Sequence, residues 1–502
     1  MLEPLIPDGE QAAAIWRMAY EPTNAALNTS ELGVGKTLVA VETAKTREAK
    51  TQLIIAPLGT APGWNRHIQT QNVNLPFNWI KNDKNRDTYL KQLKSGSPGV
   101  FFIGIQYFVS LGWIRKPVLD KRGDQRRTAK GKLMWKDDRT SLWRSVYPDF
   151  IVLDETHKGA NKGTKTFKTL NMQTGDNHLN GAFKLAQSAT PYGNKFENAW
   201  SIPRWLWPDD DIVPRSYPLW RGRWAETEYD PFSYDHVKVL GEKPPAGAWY
   251  DSLPCHIHIE AKPIEYVEFD PVTREPETIY VIRDERLIEL TPKQRRIYDE
   301  IENQHLAWLG ENPLVVELPV TELIRQNQIA LAEPIIAEDG TVTFAENAKS
   351  STMDEIVTII NEIDEESAVI FSASQKFNEN VVLPRLRKLG YTAEAYDGKN
   401  LKTRDAARER FERGETKYLA VVIEAGGTGL DGFQHATRNV IWASRSLNGV
   451  SNEQASGRVP RRGQTQTVRE FFITRIDTRD EESYSSLAKR EIERRKSLKG
   501  VK

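Results

Sequence analysis

The sequence is poor in cysteine, has no excess of either charge and contains no long apolar run, and each absence excludes a class of protein. Cys255 is the only cysteine among 502 residues, so no disulfide can form within the chain and a reducing, intracellular setting is expected. No apolar segment approaches the roughly 20 residues needed to cross a bilayer. The first residues, MLEPLIPDGEQ, lack the basic head and apolar stretch of a secretory signal. We therefore expect a cytoplasmic protein.

The total charge does not indicate a nucleic-acid partner, because 69 basic residues balance 69 acidic ones. Any such partner must bind a local patch of positive charge. Residues 114–139 contain ten Lys or Arg against four Asp, a net charge of +6. A solvated charged surface is the alternative interpretation of this stretch.

Short apolar strands separated by helical patterns occur in two regions. The spacing predicts strands at 53–57, 100–103, 150–154 and 184–188 in the first region, and at 368–372, 418–423, 439–443 and 468–473 in the second. Helical patterns such as Leu401 to Arg413 lie between them. Strands that alternate with helices build parallel sheets covered on both faces. The predicted fold class is α/β, with two such lobes.

The segment at about 208–350 differs from both regions, since it is rich in proline and tryptophan and then shows a helical pattern from Thr291 to Trp308. We predict an elaborated helical joint here and not a third catalytic domain. The first lobe is placed at 1–285, with a basic insertion at about 112–147 and an elaboration at about 208–285. The second lobe is placed at 286–502.

The stretch ELGVGKT, residues 31–37, is similar to the second half of the phosphate-binding pattern G-x-x-x-x-G-K-[ST]. Gly33 and Gly35 allow the backbone to curl around phosphates, and the helical pattern that follows places a helix N-terminus behind them. Lys36 can reach the β- and γ-phosphates, and the Thr37 hydroxyl can hold Mg²⁺. These residues predict a site for ATP and Mg²⁺.

Two further stretches supply the carboxylates and arginines that ATP hydrolysis needs and that a phosphate loop lacks. FIVLDETH ends an apolar strand with Asp154, expected to help hold Mg²⁺, and Glu155, expected to orient or deprotonate the attacking water. QASGRVPRRGQ offers Arg458 and Arg461, which are three residues apart and can share a helical face to offset charge on the departing phosphoryl group. The alternatives are a strand that merely ends in charges and a basic surface helix.

Together these motifs resemble the superfamily 2 helicases and translocases, and among them the Swi/Snf-type DNA-dependent ATPases. That branch carries E-x-G-x-G-K-T, so Ser30 before the loop is no departure within it. LIIAPLGTAPGW, LDETHKGAN, SATPYGN and EAGGTGLDGFQHA also match, and Q-x-x-G-R-x-x-R-x-G-Q is complete from Gln454 to Gln464. Asp431 stands where the family usually has Asn, and Thr156 replaces the Ala of D-E-A-H. No reader domain is recognisable, which favours the compact viral or bacterial members.

The resemblance implies two RecA-like lobes with ATP between them, and it assigns roles by motif. Catalytic roles are implied for Lys36, Glu155, Arg458 and Arg461. Metal contacts are implied for Thr37 and Asp154. Nucleotide contacts are implied for Gln11, Gly33, Val34, Gly35, Lys36, Thr37, Asp154, Asp431 and Gln454. Coupling between the ATP site and DNA is implied for Ser188 and Thr190, and DNA contacts are implied for Pro57 and Gly427.

The basic stretch at 114–139 is predicted to be a mobile surface loop, since it contains one proline and two glycines and lacks an apolar period. Its charge makes it a candidate for gripping DNA phosphates, with a solvated loop of no consequence as the alternative. The candidate contacts are Arg126, Arg127, Lys130 and Lys132.

The predicted function is an ATP-driven motor, expected to be a monomer, that moves along double-stranded DNA without strong sequence preference. If the protein is viral, the cytoplasm is that of the host. A strand-separating or branch-migrating helicase shares these motifs and needs a wedge that the sequence does not identify. A nucleotide-gated DNA clamp with little hydrolysis is a third hypothesis, against which the intact Glu155 and both arginines argue. CHIH at 255–258 offers too few ligands for zinc, so no metal site is expected there.

Overall fold

The chain divides into two compact units, residues 1–261 with 494–502 and residues 262–493. The predicted boundary between residues 285 and 286 falls inside a strand of the second unit, Val281–Ile288. The structure, a computed structural model, describes residues 4–120, 125–128, 133–140, 142–171, 179–193, 195–231, 236–260, 268–269, 276–277, 281–309, 312–315, 319–336, 341–346, 348–398, 401–426, 432–460 and 464–480. No helix in these ranges is both long and apolar enough to cross a membrane.

The first unit is built on a sheet whose described strands are all parallel. Their side chains are buried almost throughout, so the strands are continuous apolar runs without polar alternation. The four strands predicted in this region are confirmed. The strand order is His256–Ile257, Ala25–Asn28, Phe183–Gln187, Phe150–Asp154, Thr51–Ala56, Gly99–Gly104 and Phe77–Ile80.

Helices follow most of these strands, as the alternation in the sequence requires. Each buries an apolar face in one continuous core with the sheet. The α-helices of the first unit are Gly9–Ala19, Lys36–Thr46, Ala61–Thr70, Arg86–Lys94, Ile105–Leu111, His157–Ala160, Lys165–Leu170, Ser201–Leu206, Tyr217–Trp224 and Ala248–Asp251. Short 3₁₀ turns lie at Leu58–Thr60, Leu142–Ser145 and Phe196–Asn198.

The second unit contains another parallel sheet, and the strand Ala368–Ser372 shows that both of its faces are buried. Ala368 and Ile370 pack into one core, whereas Val369 and Phe371 pack into another. Successive side chains of a strand point to opposite faces, so helices cover the sheet on both sides. The two-lobed α/β prediction is confirmed. The strand order is Val281–Ile288, Val468–Arg475, Asn439–Trp442, Ala368–Ser372, Tyr418–Val422 and Ala393–Tyr396.

The helices of the second unit include a correction to the sequence prediction. The predicted helix from Thr291 to Trp308 begins at Pro292 behind a Thr291 capping box but ends at Gln304, because His305 takes a left-handed φ of 54°. Leu306–Leu309 then forms a strand. The α-helices are Pro292–Gln304, Pro319–Leu331, Ser351–Glu362, Gln375–Phe377, Leu383–Lys388, Leu401–Glu412, Ile423–Gly426, Phe433–Ala436 and Gly449–Ser456, with a π-helical turn at Asn378–Val382.

Short antiparallel strand pairs occur in both units, outside the two parallel sheets. Four of them lie in or near the segment predicted as a joint, which therefore combines helices with short β-structure. The described pairs are Trp113–Pro117 with Trp135–Arg139, Ala225–Tyr229 with Val237–Glu242, Glu268–Phe269 with Pro276–Glu277, Leu306–Leu309 with Asn312–Val315, and Pro334–Ile336 with Val342–Phe344.

Candidate nucleotide-binding site

The phosphate loop connects the strand Ala25–Asn28 to the helix Lys36–Thr46, so its backbone N–H groups collect at a helix N-terminus. Gly33 and Gly35 have φ values of 80° and 79°, which are unfavourable for residues with a Cβ. A Cβ on Gly35 would also lie 2.6 Å from the side-chain nitrogen of Gln11. Both glycines of the motif are therefore required by the local backbone or by its packing.

Ser30, in the position of the missing first glycine, does not have a positive φ. Its N–H donates to Asn28 Oδ1 at 3.0 Å, and its hydroxyl oxygen accepts from the Ile259 N–H at 2.9 Å. The side chain thus ties the start of the loop to the edge of the sheet. A glycine in this position has no hydroxyl group and could not accept the bond from the Ile259 N–H.

Gln11, the predicted adenine contact, supports the loop directly. It is buried in the first helix, where it shares a capping box with Asp8. Its Nε2 donates to the carbonyl oxygen of Val34 at 2.8 Å. The contact with a base stays a prediction, but the side chain already links the N-terminal helix to the loop.

Lys36 is the first residue of the helix behind the loop, and Thr37 follows it. The Lys36 Nζ donates to the carbonyl oxygens of Ser30 at 2.9 Å and Glu31 at 2.7 Å. The ammonium group is therefore held over the loop by the loop itself. A phosphate there would meet a cation that is already in place.

Asp154 ends the central strand Phe150–Asp154 and is buried. Its Oδ1 accepts from Gln187 Nε2 at 3.1 Å and from the Glu155 N–H at 3.0 Å, and its Oδ2 accepts from Trp64 Nε1 at 3.3 Å. Burial, followed by the charge of Glu155, raises the pKa of Asp154 to about 6, against the opposing effects of the Gln187 bond, Lys36 and the Trp64 bond. These donors fix the orientation of the carboxylate.

The residues present fit a Mg²⁺ ion. A carboxylate has about four lone-pair positions, and three on Asp154 are taken by hydrogen bonds, which leaves one on Oδ2. The Thr37 hydroxyl at the helix N-terminus adds a second oxygen donor, and oxygen is the ligand that Mg²⁺ prefers.

Glu155 leaves the strand in a left-handed conformation, with φ 54°. Its Oε2 lies 3.3 Å from His157 Nδ1 and accepts from the Ser188 hydroxyl at 3.3 Å. The side chain is 17% exposed, so it keeps access to a reactant.

Ser188 and Thr190, predicted to couple ATP and DNA, meet Glu155 through the same histidine. His157 Nδ1 lies 3.4 Å from Ser188 Oγ and 3.3 Å from Thr190 Oγ1. The two hydroxyls are 3.3 Å apart. Thr156, the departure from D-E-A-H, is fully buried and its hydroxyl donates to the Pro191 carbonyl at 3.4 Å. These contacts join the motif LDETHKGAN, which contains Thr156 and His157, to the motif SATPYGN, which contains Ser188 and Thr190.

Sequence reasoning missed three residues that shape this site. Trp64 and Gln187 bond the Asp154 carboxylate, and Asn28 accepts from the Ser30 N–H. Trp64 ends the motif LIIAPLGTAPGW but was given no role there, and Asn28 and Gln187 belong to no motif quoted above. For Asn28 and Gln187, the available signal was a polar residue at the end of an apolar strand, as in AALN and FKLAQ.

The second unit holds the other predicted nucleotide contacts. Gln454 is buried in the helix Gly449–Ser456, and Arg458 follows the end of this helix. Gln464, the last residue of that motif, is also buried, and its Nε2 donates to the Thr437 carbonyl at 3.0 Å. The predicted contacts Asp431, Arg461 and Gly427 lie outside the described residues.

The predicted mobile loop at 114–139 is wrong for the residues that the structure describes. Trp113–Pro117 pairs with Trp135–Arg139 as an antiparallel stem. Opposite charges stabilise the pairing, since Lys116 Nζ lies 2.7 Å from Asp138 Oδ2, and the helical Lys165 lies 2.6 Å from Asp137. We call the described parts of 113–139 the basic hairpin.

The far end of the basic hairpin is closed by three backbone bonds. The Val118 N–H donates to Met134, the Met134 N–H to Arg126 and the Arg126 N–H to Val118, at 2.7 to 3.0 Å. The predicted DNA contacts Arg126 and Arg127 are exposed here, and Lys130 and Lys132 lie outside the described residues. Pro57, also a predicted DNA contact, is buried directly after the strand Thr51–Ala56.

The histidines of CHIH lie at the sheet edge beside the phosphate loop, where both contact Thr29. His256 Nε2 lies 2.6 Å from the Thr29 hydroxyl, and His258 Nδ1 lies 3.1 Å from it. Burial lowers the pKa of His256 to about 3, so this ring is neutral. Within the described ranges, no group of three or more His, Cys, Asp or Glu could hold a metal ion.

Comparison with known proteins adds one family. Residues 349–463 match the family model of the helicase conserved C-terminal domain. No curated protein matches the chain in sequence. Among solved structures, the chain is similar to the Sulfolobus solfataricus SWI2/SNF2 ATPase core in complex with dsDNA, with 18% identity, a TM-score of 0.38, and coverage of 99% of this chain and 94% of that one. The segment that matches the family model lies within the second unit.

Proposed function

We propose that this chain is an ATP-driven motor of the Swi/Snf type within superfamily 2, which moves along double-stranded DNA. The match of residues 349–463 to the helicase conserved C-terminal domain supports the proposal. The observation that carries the proposal is the arrangement around Asp154. The strands Ala25–Asn28 and Phe150–Asp154 both run parallel to Phe183–Gln187, so they end at the same edge of the sheet. Lys36, at the end of the loop that follows the first strand, therefore lies at the same edge of the sheet as the carboxylates of Asp154 and Glu155.

Each residue has a distinct task in ATP hydrolysis. The loop N–H groups and Lys36 bind the β- and γ-phosphates, while Thr37 and Asp154 would hold Mg²⁺, which supplies charge neutralisation on the phosphates. Glu155 orients a water molecule and takes its proton as the water oxygen bonds to the γ-phosphorus. The bond from that phosphorus to the β–γ bridging oxygen breaks, and the products are ADP and inorganic phosphate. By motif, Arg458 and Arg461 are the candidates for stabilising the charge that develops.

His157 connects this chemistry to the rest of the first unit. Its Nδ1 lies within 3.4 Å of Glu155, Ser188 and Thr190. A change in the Glu155 position therefore alters which oxygen this nitrogen can bond. We assign coupling between hydrolysis and DNA movement to this group.

The basic hairpin supports a nucleic-acid partner. Its acidic residues Asp137 and Asp138 are paired with lysines. Arg126 and Arg127 are exposed at the far end and place positive charge there. Positive charge at the far end suits phosphates, which every DNA sequence presents equally. The hairpin therefore favours a grip without sequence preference.

One set of assays tests the proposal and separates it from its alternatives. ATP hydrolysis is measured with duplex DNA, single-stranded DNA, forked DNA and RNA. Stimulation by duplex DNA together with displacement of a triplex-forming strand is expected for a translocating motor. Unwinding of forks without triplex displacement would favour a strand-separating helicase. DNA binding that depends on nucleotide without stimulated hydrolysis would identify a clamp and refute the motor.

A further inference from the structure

A buried carboxylate interrupts one apolar face of the sheet in the second unit. In the strand Val468–Arg475, Val468 and Phe472 pack into one apolar cluster. Alternate residues of a strand share a face, so Glu470 points into the same cluster, where it is 0% exposed. Burying a carboxylate costs free energy unless the group is hydrogen-bonded and its charge is offset.

Each oxygen of this carboxylate has its own partner. Glu470 Oε2 accepts from Arg283 Nε at 2.9 Å, and the two residues are partners in the register of adjacent strands. Glu470 Oε1 accepts from the Ser456 hydroxyl at 3.1 Å. Ser456 is the last residue of the helix Gly449–Ser456. The carboxylate therefore links the edge strand of the sheet to the end of this helix.

The bonded serine stands two residues before Arg458, and backbone hydrogen bonds fix the turn between them. The Gly457 N–H donates to the Glu453 carbonyl at 3.1 Å, and the Arg458 N–H donates to the Ala455 carbonyl at 3.2 Å. The position of Ser456 therefore determines where the Arg458 side chain leaves the backbone.

Stability alone does not account for a carboxylate at this place. The C-terminal end of a helix carries partial negative charge, so a carboxylate beside it is unfavourable. Replacing a buried ion pair by apolar side chains of similar volume is often neutral or stabilising, and the neighbours of Glu470 on this face are apolar. A role in function explains the residue better.

We propose that Glu470 is a positioning residue for Arg458, because its bond to Ser456 fixes the end of the helix directly before that arginine. This inference rests on the proposed function, in which Arg458 is a candidate for stabilising the charge that develops during ATP hydrolysis. Glu470 is fully buried and acts through Ser456. An arginine that acts on the transition state raises turnover more than it strengthens ATP binding. Loss of the Ser456 bond should therefore lower turnover and leave binding unchanged.

Glu470→Met tests the inference, since it removes the acceptor and keeps the length of the side chain. We expect DNA-stimulated ATP turnover to fall by roughly 10- to 100-fold, because a displacement of about 1 Å can cost that much. The dissociation constant for ATP should stay within about twofold of wild type. The melting temperature should not fall, because the new side chain is apolar and Arg283 is 67% exposed to water.

Glu470→Gln is the conservative variant and should keep most of the turnover. The Ser456 hydroxyl can donate to the oxygen of the new amide or accept from its nitrogen, so the bond persists in either orientation of the amide. A loss as large as that of Glu470→Met would show that the bond to Ser456 is not what matters and would overturn the inference.

Glu322→Met is the matched control. Glu322 lies in the same unit, is 7% exposed and accepts from Arg479 Nη2 at 3.0 Å. Its described partners, Arg479 and His305, lie outside the motif QASGRVPRRGQ. The control should turn over ATP at the wild-type rate. Wild-type turnover in a folded Glu470→Met protein, or an equal loss in the control, would overturn the inference.

Ser456→Ala removes the same bond from its other side, so it decides the matter if Glu470→Met does not fold. It should lower turnover to a similar extent. Neither variant should lower turnover further in an Arg458→Ala background, because both act through Arg458. Additive losses would overturn the inference and leave the proposed function standing. Wild-type protein without DNA-stimulated turnover would instead refute the proposed function itself, and this inference with it.

Discussion

The Glu155→Gln variant tests the chemistry of the site most directly. Glutamine has the shape of glutamate and can still accept a bond from the Ser188 hydroxyl, which lies 3.3 Å from Glu155 Oε2. It also carries the same Cβ, so the cost of the left-handed φ of 54° is unchanged. What it lacks is the ability to take a proton from water. The variant should therefore fold and bind ATP as the wild type does.

The size of the effect follows from that single loss. A positioned general base contributes roughly 10²- to 10⁴-fold to a rate. At 1.36 kcal/mol for each tenfold, this corresponds to about 3 to 5 kcal/mol of activation free energy. Asp154 and Lys36, the residues proposed to bind metal and phosphate, are not altered, so the dissociation constant for ATP should stay within about twofold of wild type, or about 0.4 kcal/mol.

The assay combines DNA-stimulated ATP turnover, equilibrium binding of ATP and thermal melting. Lys36→Ala is the contrasting variant, because it removes a cation from the bound ground state and should weaken both binding and turnover. Turnover of Glu155→Gln within a few-fold of wild type would show that Glu155 does not act on the water. Loss of ATP binding in that variant would show instead that its carboxylate serves the structure of the site.

Three other predictions concern different parts of the chain. Arg461→Ala should fold and bind ATP but lose roughly 10³-fold in turnover, and Arg461→Lys should restore little because lysine lacks the planar fork; full rescue by lysine would contradict this. Replacing Arg126 and Arg127 by Ala should reduce the slope of log K for DNA against log salt by up to about 0.9 per lost phosphate contact, and a wild-type slope would show that neither arginine contacts DNA. The bonds from Arg438 lower the pKa of Glu366 to about 2, so this carboxylate stabilises the fold above its unfolded pKa of about 4.5 and ceases to do so as the pH falls towards 2. The difference in unfolding midpoint in urea between wild type and Glu366→Gln should accordingly shrink from pH 6 to pH 3, and a constant difference would refute it.

The parallel strands could be predicted from the sequence because burial on both faces leaves continuous apolar runs. FIVLD and AVIFS are examples, and both form strands at the predicted residues. The phosphate loop could be predicted for a related reason. Gly33 and Gly35 occupy left-handed positions that few other residues tolerate. The spacing of these glycines within a short stretch of sequence is therefore enough to predict the loop.

The features that could not be predicted depend on pairing between distant residues. The stem of the basic hairpin is stabilised by cross-strand and helix contacts such as Lys116 with Asp138, and charged residues of this kind show no apolar period. The placement of Asn28, Gln187 and Asp154 side by side depends on the register of three strands that are far apart in sequence. The early end of the helix at Gln304 depends on one residue, His305, that adopts a left-handed conformation without being glycine.

The ring of three backbone bonds in the basic hairpin allows the two connections that leave it to vary in length. The Val118 N–H donates to Met134, the Met134 N–H to Arg126 and the Arg126 N–H to Val118. The two connections that leave this ring, which begin and end at the bridged pairs Leu119 with Gln125 and Arg127 with Leu133, therefore start and finish at the same closed junction. The entropy of closing a loop rises only slowly with its length. Each connection can therefore gain or lose residues on its own, without altering the stem or the other connection. The ring thus fixes the residues at which each connection begins and ends, independently of how many residues lie between them.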